Sequence, residues 1–224
     1  MKPILTSVIL LVVAAGGLLI SLEEKLPKGR QHFLGLGDLK GGATYSIATG
    51  VSGDGMVVVG YSNTEEGMAG FRWTAADGVE EMDFPQALAI SDDGSTSVGY
   101  WCERSRVEPV RWSEREGAEA RVVDPIYRMG AARSVSADGG TIVGDVSIQS
   151  SEYGARDAAF HWTRKSGFKL LDGIQDEEMF SAAYAVSKDG AVVVGSFRHH
   201  TGNPEAFRWT AESGVVGLGC LPDH

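Results

Sequence analysis

Short strand-like stretches recur along this chain, some continuously apolar and others alternating apolar and polar residues with a period of two, the period of a half-buried strand. Phe71-Arg72-Trp73-Thr74 is one such stretch, with Phe and Trp on one face and Arg on the other. Residues 4–20, ILTSVILLVVAAGGLLI, break the pattern with a run that is apolar apart from Thr6 and Ser7. Lys2 precedes the run, Glu23, Glu24 and Lys25 follow it, and Val13-Ala14-Ala15 before Gly16 offers a cleavage site, with Ser21 a second one. A positive start, an apolar run and small residues describe a secretory signal, although the run also reaches the short limit of a membrane span. Residues 1–21 therefore read as a signal peptide or an N-terminal membrane anchor, and 22–32 as a polar spacer. An exported chain of this kind would be periplasmic or secreted.

Residues 33–224 are self-similar. SIATGVSGDGMVVVGYS, ALAISDDGSTSVGYW, ARSVSADGGTIVGDV and AAYAVSKDGAVVVGSF each lead to an AFRWT-like run. The units span about 40–84, 85–124, 131–172 and 180–221. Their aligned tryptophans are Trp73, Trp112, Trp162 and Trp209, and their aligned turn aspartates are Asp54, Asp93, Asp138 and Asp189. Spacings of 39–51 residues indicate one supersecondary unit per repeat. Each unit reads as four short strands: one ending in a Val/Ile-Ser pair, an Asp-Gly turn, a β-branched second strand, the FRWT strand, and a brief fourth strand. This predicts an all-β fold, a β-propeller-like array of four four-stranded repeats, which could close as a four-bladed ring or remain open. Phe33–Leu39 resembles the end of unit four, so a pairing of that segment with Val215–Leu218 would close the ring and hide an edge.

Charge narrows the partners. With 20 Lys+Arg against 30 Asp+Glu, the net charge of −10 argues against nucleic acid, whose phosphates need basic side chains. Thirty glycines, about twice ordinary usage, agree with a turn-rich chain. The two cysteines, Cys102 and Cys220, exclude a disulfide scaffold and a zinc ribbon, and whether they pair is left open.

The combination GDLKGG, then a serine-led VSGDGMVVVGYS, then GFRWT resembles the bacterial extracellular-repeat family often labelled HAF. The resemblance covers residues 33–221 and implies a secreted or envelope-exposed β-repeat protein. It carries no reaction that could be transferred residue by residue. This copy departs from the pattern at Thr96-Ser97-Val98, at Val110 in place of phenylalanine, and at His161 in place of arginine.

Chemistry is sparse. The aspartates are turn residues, the serines before them suit turn hydrogen bonds, and the register tryptophans suit packing between units. No nucleotide loop, zinc motif or nucleophile elbow occurs, so neither a cofactor nor a metal is expected. Candidate ligand contacts are Trp101, Arg104 and Arg106 in the second unit and His199 and His200 in the fourth. Glu103, Glu108, Glu152 and Asp157 are the acids whose loop position would suit a glycan hydrolase or lyase. The sequence thus predicts an exported non-enzymatic scaffold that binds protein or glycan through its loops. The alternatives are a propeller-type glycan hydrolase or lyase, and a surface adhesin self-associating through open β edges.

Overall fold

The computed structural model describes residues 35–103, 106–120, 127, 129–150, 154–171, 179–199 and 202–219. The chain divides into Met1–Gly35 and Leu36–His224, and every strand below belongs to the second unit. The leader at 1–21, the spacer at 22–32, Arg104, His200 and Cys220 lie outside the described residues.

Among the described residues sixteen strands form four antiparallel sheets, each in sequence order. Sheet one holds β1 (Gly41–Val51), β2 (Val57–Thr64), β3 (Gly67–Thr74) and β4 (Gly78–Glu81). Sheet two holds β5 (Gln86–Ile90), β6 (Thr96–Glu103), β7 (Arg106–Ser113) and β8 (Gly117–Ala120). Sheet three holds β9 (Gly130–Val135), β10 (Thr141–Ser150), β11 (Gly154–Thr163) and β12 (Gly167–Leu170). Sheet four holds β13 (Met179–Val186), β14 (Val193–His199), β15 (Glu205–Thr210) and β16 (Gly214–Gly217). These are the four repeats of the sequence, one sheet each.

The turn between the first two strands is built the same way four times. Ser52 Oγ donates to Asp54 Oδ1 at 2.6 Å and accepts from the Val57 N–H at 3.0 Å, while Asp54 Oδ1 also accepts from the Met56 N–H. Ser91–Asp93, Ser136–Asp138 and Ser187–Asp189 repeat the arrangement. Gly55 follows the aspartate at φ 74°, a conformation that only a residue without Cβ adopts at little cost. These bonds hold the carboxyl groups of Asp54, Asp138 and Asp189 below the usual range. Burial pushes Asp93 the other way, but Ser91 and Ser95 together outweigh it.

Apolar clusters join neighbouring sheets. Val59 of sheet one packs with Ala87, Ile90 and Val110 of sheet two, and the linker residues Met82 and Phe84 fill in beside them. Val98 of sheet two meets Ala132, Val135, Ile142 and Phe160 of sheet three. Val143, Ala159 and Leu171 of sheet three meet Ala183, Val193, Phe207 and Trp209 of sheet four. Burying one such side chain contributes about 1.5–3 kcal/mol, so the clusters dominate the stability of the array. The turns add backbone bonds of constant direction: Gly53 N–H to Asp92 O, Asp93 N–H to Ala137 O, and Ala137 N–H to Lys188 O.

The pairing of the N-terminal segment with Val215–Leu218, which the sequence leaves open, is not made by the described residues Leu36–Leu39. The Leu39 N–H donates to Ser62 Oγ in sheet one, where Leu39 packs on Ala69 and Phe71, and β16 pairs with β15. The segment between the second and third strands of unit three is mostly hairpin. β10 and β11 stay in register from Thr141↔Thr163 to Ser150↔Gly154, because antiparallel ladder bonds hold even polar residues such as Ser147 and Gln149 extended.

Candidate functional site

The first strand of every sheet carries an irregularity at one aligned position. Pairing skips Thr49 in β1, Leu88 in β5, Arg133 in β9 and Tyr184 in β13. Each skipped residue lies beside a glycine of the second strand: Gly60, Gly99, Gly144 or Gly195. A bulge bends its strand and re-aims the unpaired side chain, and bulges gather at functional rims. The repeat therefore delivers four variable side chains from one backbone device, on the strands through which successive sheets meet.

The bulges of sheets three and four build the most elaborate group. The Arg133 guanidinium is ion-paired with the Asp145 carboxylate through Nε, and its carbon lies 5.8 Å from the Tyr184 ring centre. The Tyr184 and Ser196 hydroxyls are 3.1 Å apart, and Arg198 stacks over the Phe180 ring at 4.3 Å. Between them lies a cleft of about 200 Å³ lined by Asp157, Phe180, Tyr184, Ser196, Phe197 and Arg198 among others. Desolvation, then the nearby charge of Asp145, raises the Asp157 carboxyl, with Arg133 and Arg198 opposing. Burial would lower the Arg133 pKa, but the bond to Asp145 and the neighbouring acidic groups raise it on balance. The cleft thus offers one cation, Arg198, an acid whose carboxyl is raised, and three aromatic faces within one small concavity, with Arg133 set over the Tyr184 ring beside it. Such a set suits recognition of a polar chain with flat or apolar groups.

The residues singled out from sequence fall elsewhere. Trp101 lies in β6, half-buried against the cluster that joins sheets one and two. Arg106 begins β7 and forms an ion pair with Glu108. His199 ends β14, exposed and opposite Met179. Trp101 and Arg106 share the sheet-two hairpin, while His199 is in sheet four, and the structure does not gather them into one site. Of the acids considered for hydrolysis, Asp157 lines the cleft described above, Glu108 pairs with Arg106, and Glu152 lies outside the described residues. Cys102 is exposed and makes no disulfide among the described residues.

The register tryptophans pack as wedges in different degrees. Trp209 is 8% exposed, whereas Trp73, Trp112 and Trp162 are half-buried against the clusters of their sheets. His161, at the arginine position of the repeat, lies 5.1 Å from the Trp209 ring centre, and burial, aided by Lys169, lowers its pKa.

Arg133, Asp145, Tyr184 and Arg198 were missed from sequence. The available signal was a glycine inside each second strand, which marks a bulge in its neighbour.

Comparison with solved structures places this array among β-propellers. It is similar to TolB from Acinetobacter baumannii, with a TM-score of 0.57 and 14% identity over 78% of this chain and 43% of that one. A putative TolB from Agrobacterium tumefaciens matches with a TM-score of 0.55 and 16% identity, over 80% of this chain and 63% of that one. The tricorn protease matches at 0.53 and 14% identity, over 71% of this chain and 17% of that one. The chain thus spans less than two thirds of these neighbours, and the likeness concerns the fold. No family model matches the chain, and neither does any curated protein.

Proposed function

We propose that this chain is an exported, non-enzymatic propeller scaffold that binds a protein or glycan segment in the cleft between sheets three and four. One observation carries the reading. The polar groups common to all four units are spent on turn hydrogen bonds, while the bulge position varies from Thr49 to Leu88, Arg133 and Tyr184. A constant frame presenting variable side chains is the arrangement of a binding surface. The apolar leader supports export, and the resemblance to the extracellular-repeat family supports an envelope-facing or secreted role in bacteria.

A hydrolase or lyase reading has one observation in its favour, the raised Asp157 carboxyl beside Asp145. Paired carboxylates acting as acid and base must both be available to the substrate. Asp145 is 8% exposed and committed to Arg133, which favours binding over turnover.

Peptide and glycan arrays probed with the full chain and with Tyr184→Ala test the proposal. The expected result is a defined set of bound sequences or sugars whose signal falls at least tenfold in the variant. Ligands bound equally by both proteins would place recognition outside the cleft. Release of new reducing ends from a polysaccharide, abolished in Asp157→Asn, would establish the enzymatic reading instead.

A further inference from the structure

We infer that a second copy of this chain docks on the outer face of sheet four, using the inner face of its own sheet one. Three adjacent pairs of sheets in the chain already make this contact, and its residues can be compared position by position. The central valine of the second strand, facing the next sheet, is fully buried as Val59, Val98 and Val143. Its counterpart Val194 in sheet four is 40% exposed. Met82 and Leu171, just past the fourth strand, are 4% and 2% exposed, whereas their counterpart Leu218 is 60% exposed. All three donate the same backbone bond to the third strand, to Gly70, Ala159 and Ala206, so their alignment rests on geometry as well as on sequence.

The opposite end of the array shows the complementary vacancy. Ala87, Ala132 and Ala183 are fully buried against the preceding sheet, while Ala48 in sheet one is exposed. Ile90 and Val135 are 8% and 9% exposed, and their counterpart Val51 is 58% exposed. Backbone chemistry agrees. The turn bonds run from each unit to the next, which leaves the Lys188 N–H and the Gly53 carbonyl as the two ends of the series. One copy therefore carries both halves of an interface that the fold makes three times internally, and a second copy supplies each half that the first lacks. The contact is head-to-tail, so two copies joined at both ends form a ring, and a rotation that fails to close gives a filament. It uses sheet faces, not the strand edges by which unpaired sheets aggregate.

Sedimentation of the full chain and of two single variants, Val194→Asp and Ala48→Arg, tests the inference. Both positions are exposed within one copy, and unchanged circular dichroism would confirm folding of each variant. The parent should sediment at roughly twice the mass of the 23.8-kDa chain or more. Each variant alone should lose closed rings and filaments. Mixing the two should restore dimers, because each variant retains the half that the other has lost. A monomeric parent at micromolar concentration would overturn the inference. So would association unchanged in both variants, which would assign it to the leader or another surface. A dimer lost in Val194→Asp but intact in Ala48→Arg would also overturn it, since that pattern marks two sheet-four faces meeting each other. None of these outcomes depends on ligand binding in the cleft.

Discussion

Gly144 and Phe160 are register partners across β10 and β11, and the Phe160 ring occupies the space where a side chain at 144 would begin. A Cβ there would stand 2.9 Å from ring carbon Cε1 and 1.9 Å from the Ala131 carbonyl oxygen. Backbone and a buried ring leave nothing flexible to yield. Gly144→Ala should therefore destabilise the fold by about 3 kcal/mol, the upper end of ordinary overpacking. Urea denaturation checks it, and a variant as stable as the parent would mean that the bulge at Arg133 does not require this glycine.

The serine of each turn should matter in proportion to its cover. Ser91 is fully buried and supplies the acceptor for the Thr96 N–H, so Ser91→Ala should cost about 1–3 kcal/mol by leaving that donor unpaired. Ser187 makes the same bonds in the less covered last turn, where water can replace them, and Ser187→Ala should cost less. Paired unfolding midpoints decide the order.

Acid should weaken the array in two stages. His161 has a folded pKa below its ordinary 6.5, so the unfolded chain takes up the proton first, and stability falls as the pH drops through 6.5 toward the lower folded value. Asp54, Asp93, Asp138 and Asp189 are held below 3.8, so their contribution, present above that value, is lost as the pH falls further. Asp157 acts in the opposite sense, because its folded pKa is raised and acid relieves it. Urea midpoints followed from neutral pH downward should fall, and replacing His161 with Gln should flatten the first stage alone.

Trp209→Ala should cost about 3–5 kcal/mol, the range for truncating a buried large aromatic. In the Val194→Asp background, where the head-to-tail contact is lost, Trp73→Ala, at the half-buried end of the series, should cost less. Equal losses at both sites in that background would mean that the inner face of sheet one is covered within a single copy.

Protein recovered from its native host should begin after residue 15, 16 or 21, as N-terminal sequencing would show. A soluble cytosolic form retaining Met1 would remove the basis for export.

The four-sheet frame was legible because its signals are local. An Asp-Gly pair, a serine two residues before the aspartate and an alternating FRWT run each fix a turn or a strand within a few residues. The hairpin that carries Trp101 was less visible, since Glu103 and Arg106 pair through ladder bonds that do not depend on side-chain type. The cleft was hidden for another reason. Arg133 and Tyr184 are 51 positions apart and occupy equivalent places in different units, where a repeat alignment records them as variation. Only the bulge, which skips one residue of β9 and one of β13, turns that variation into a shared surface.

The one-way series of turn bonds bears on how such a chain changes its length. Each unit hands an N–H forward and offers a carbonyl backward, so a duplicated unit inserted anywhere finds both neighbours already suited to it. The termini of the array keep the same donor and acceptor whatever the number of units. Gene-level expansion or loss of whole repeats therefore needs no compensating redesign at the junctions, and selection can act on the bulge residue of a new unit from its first appearance.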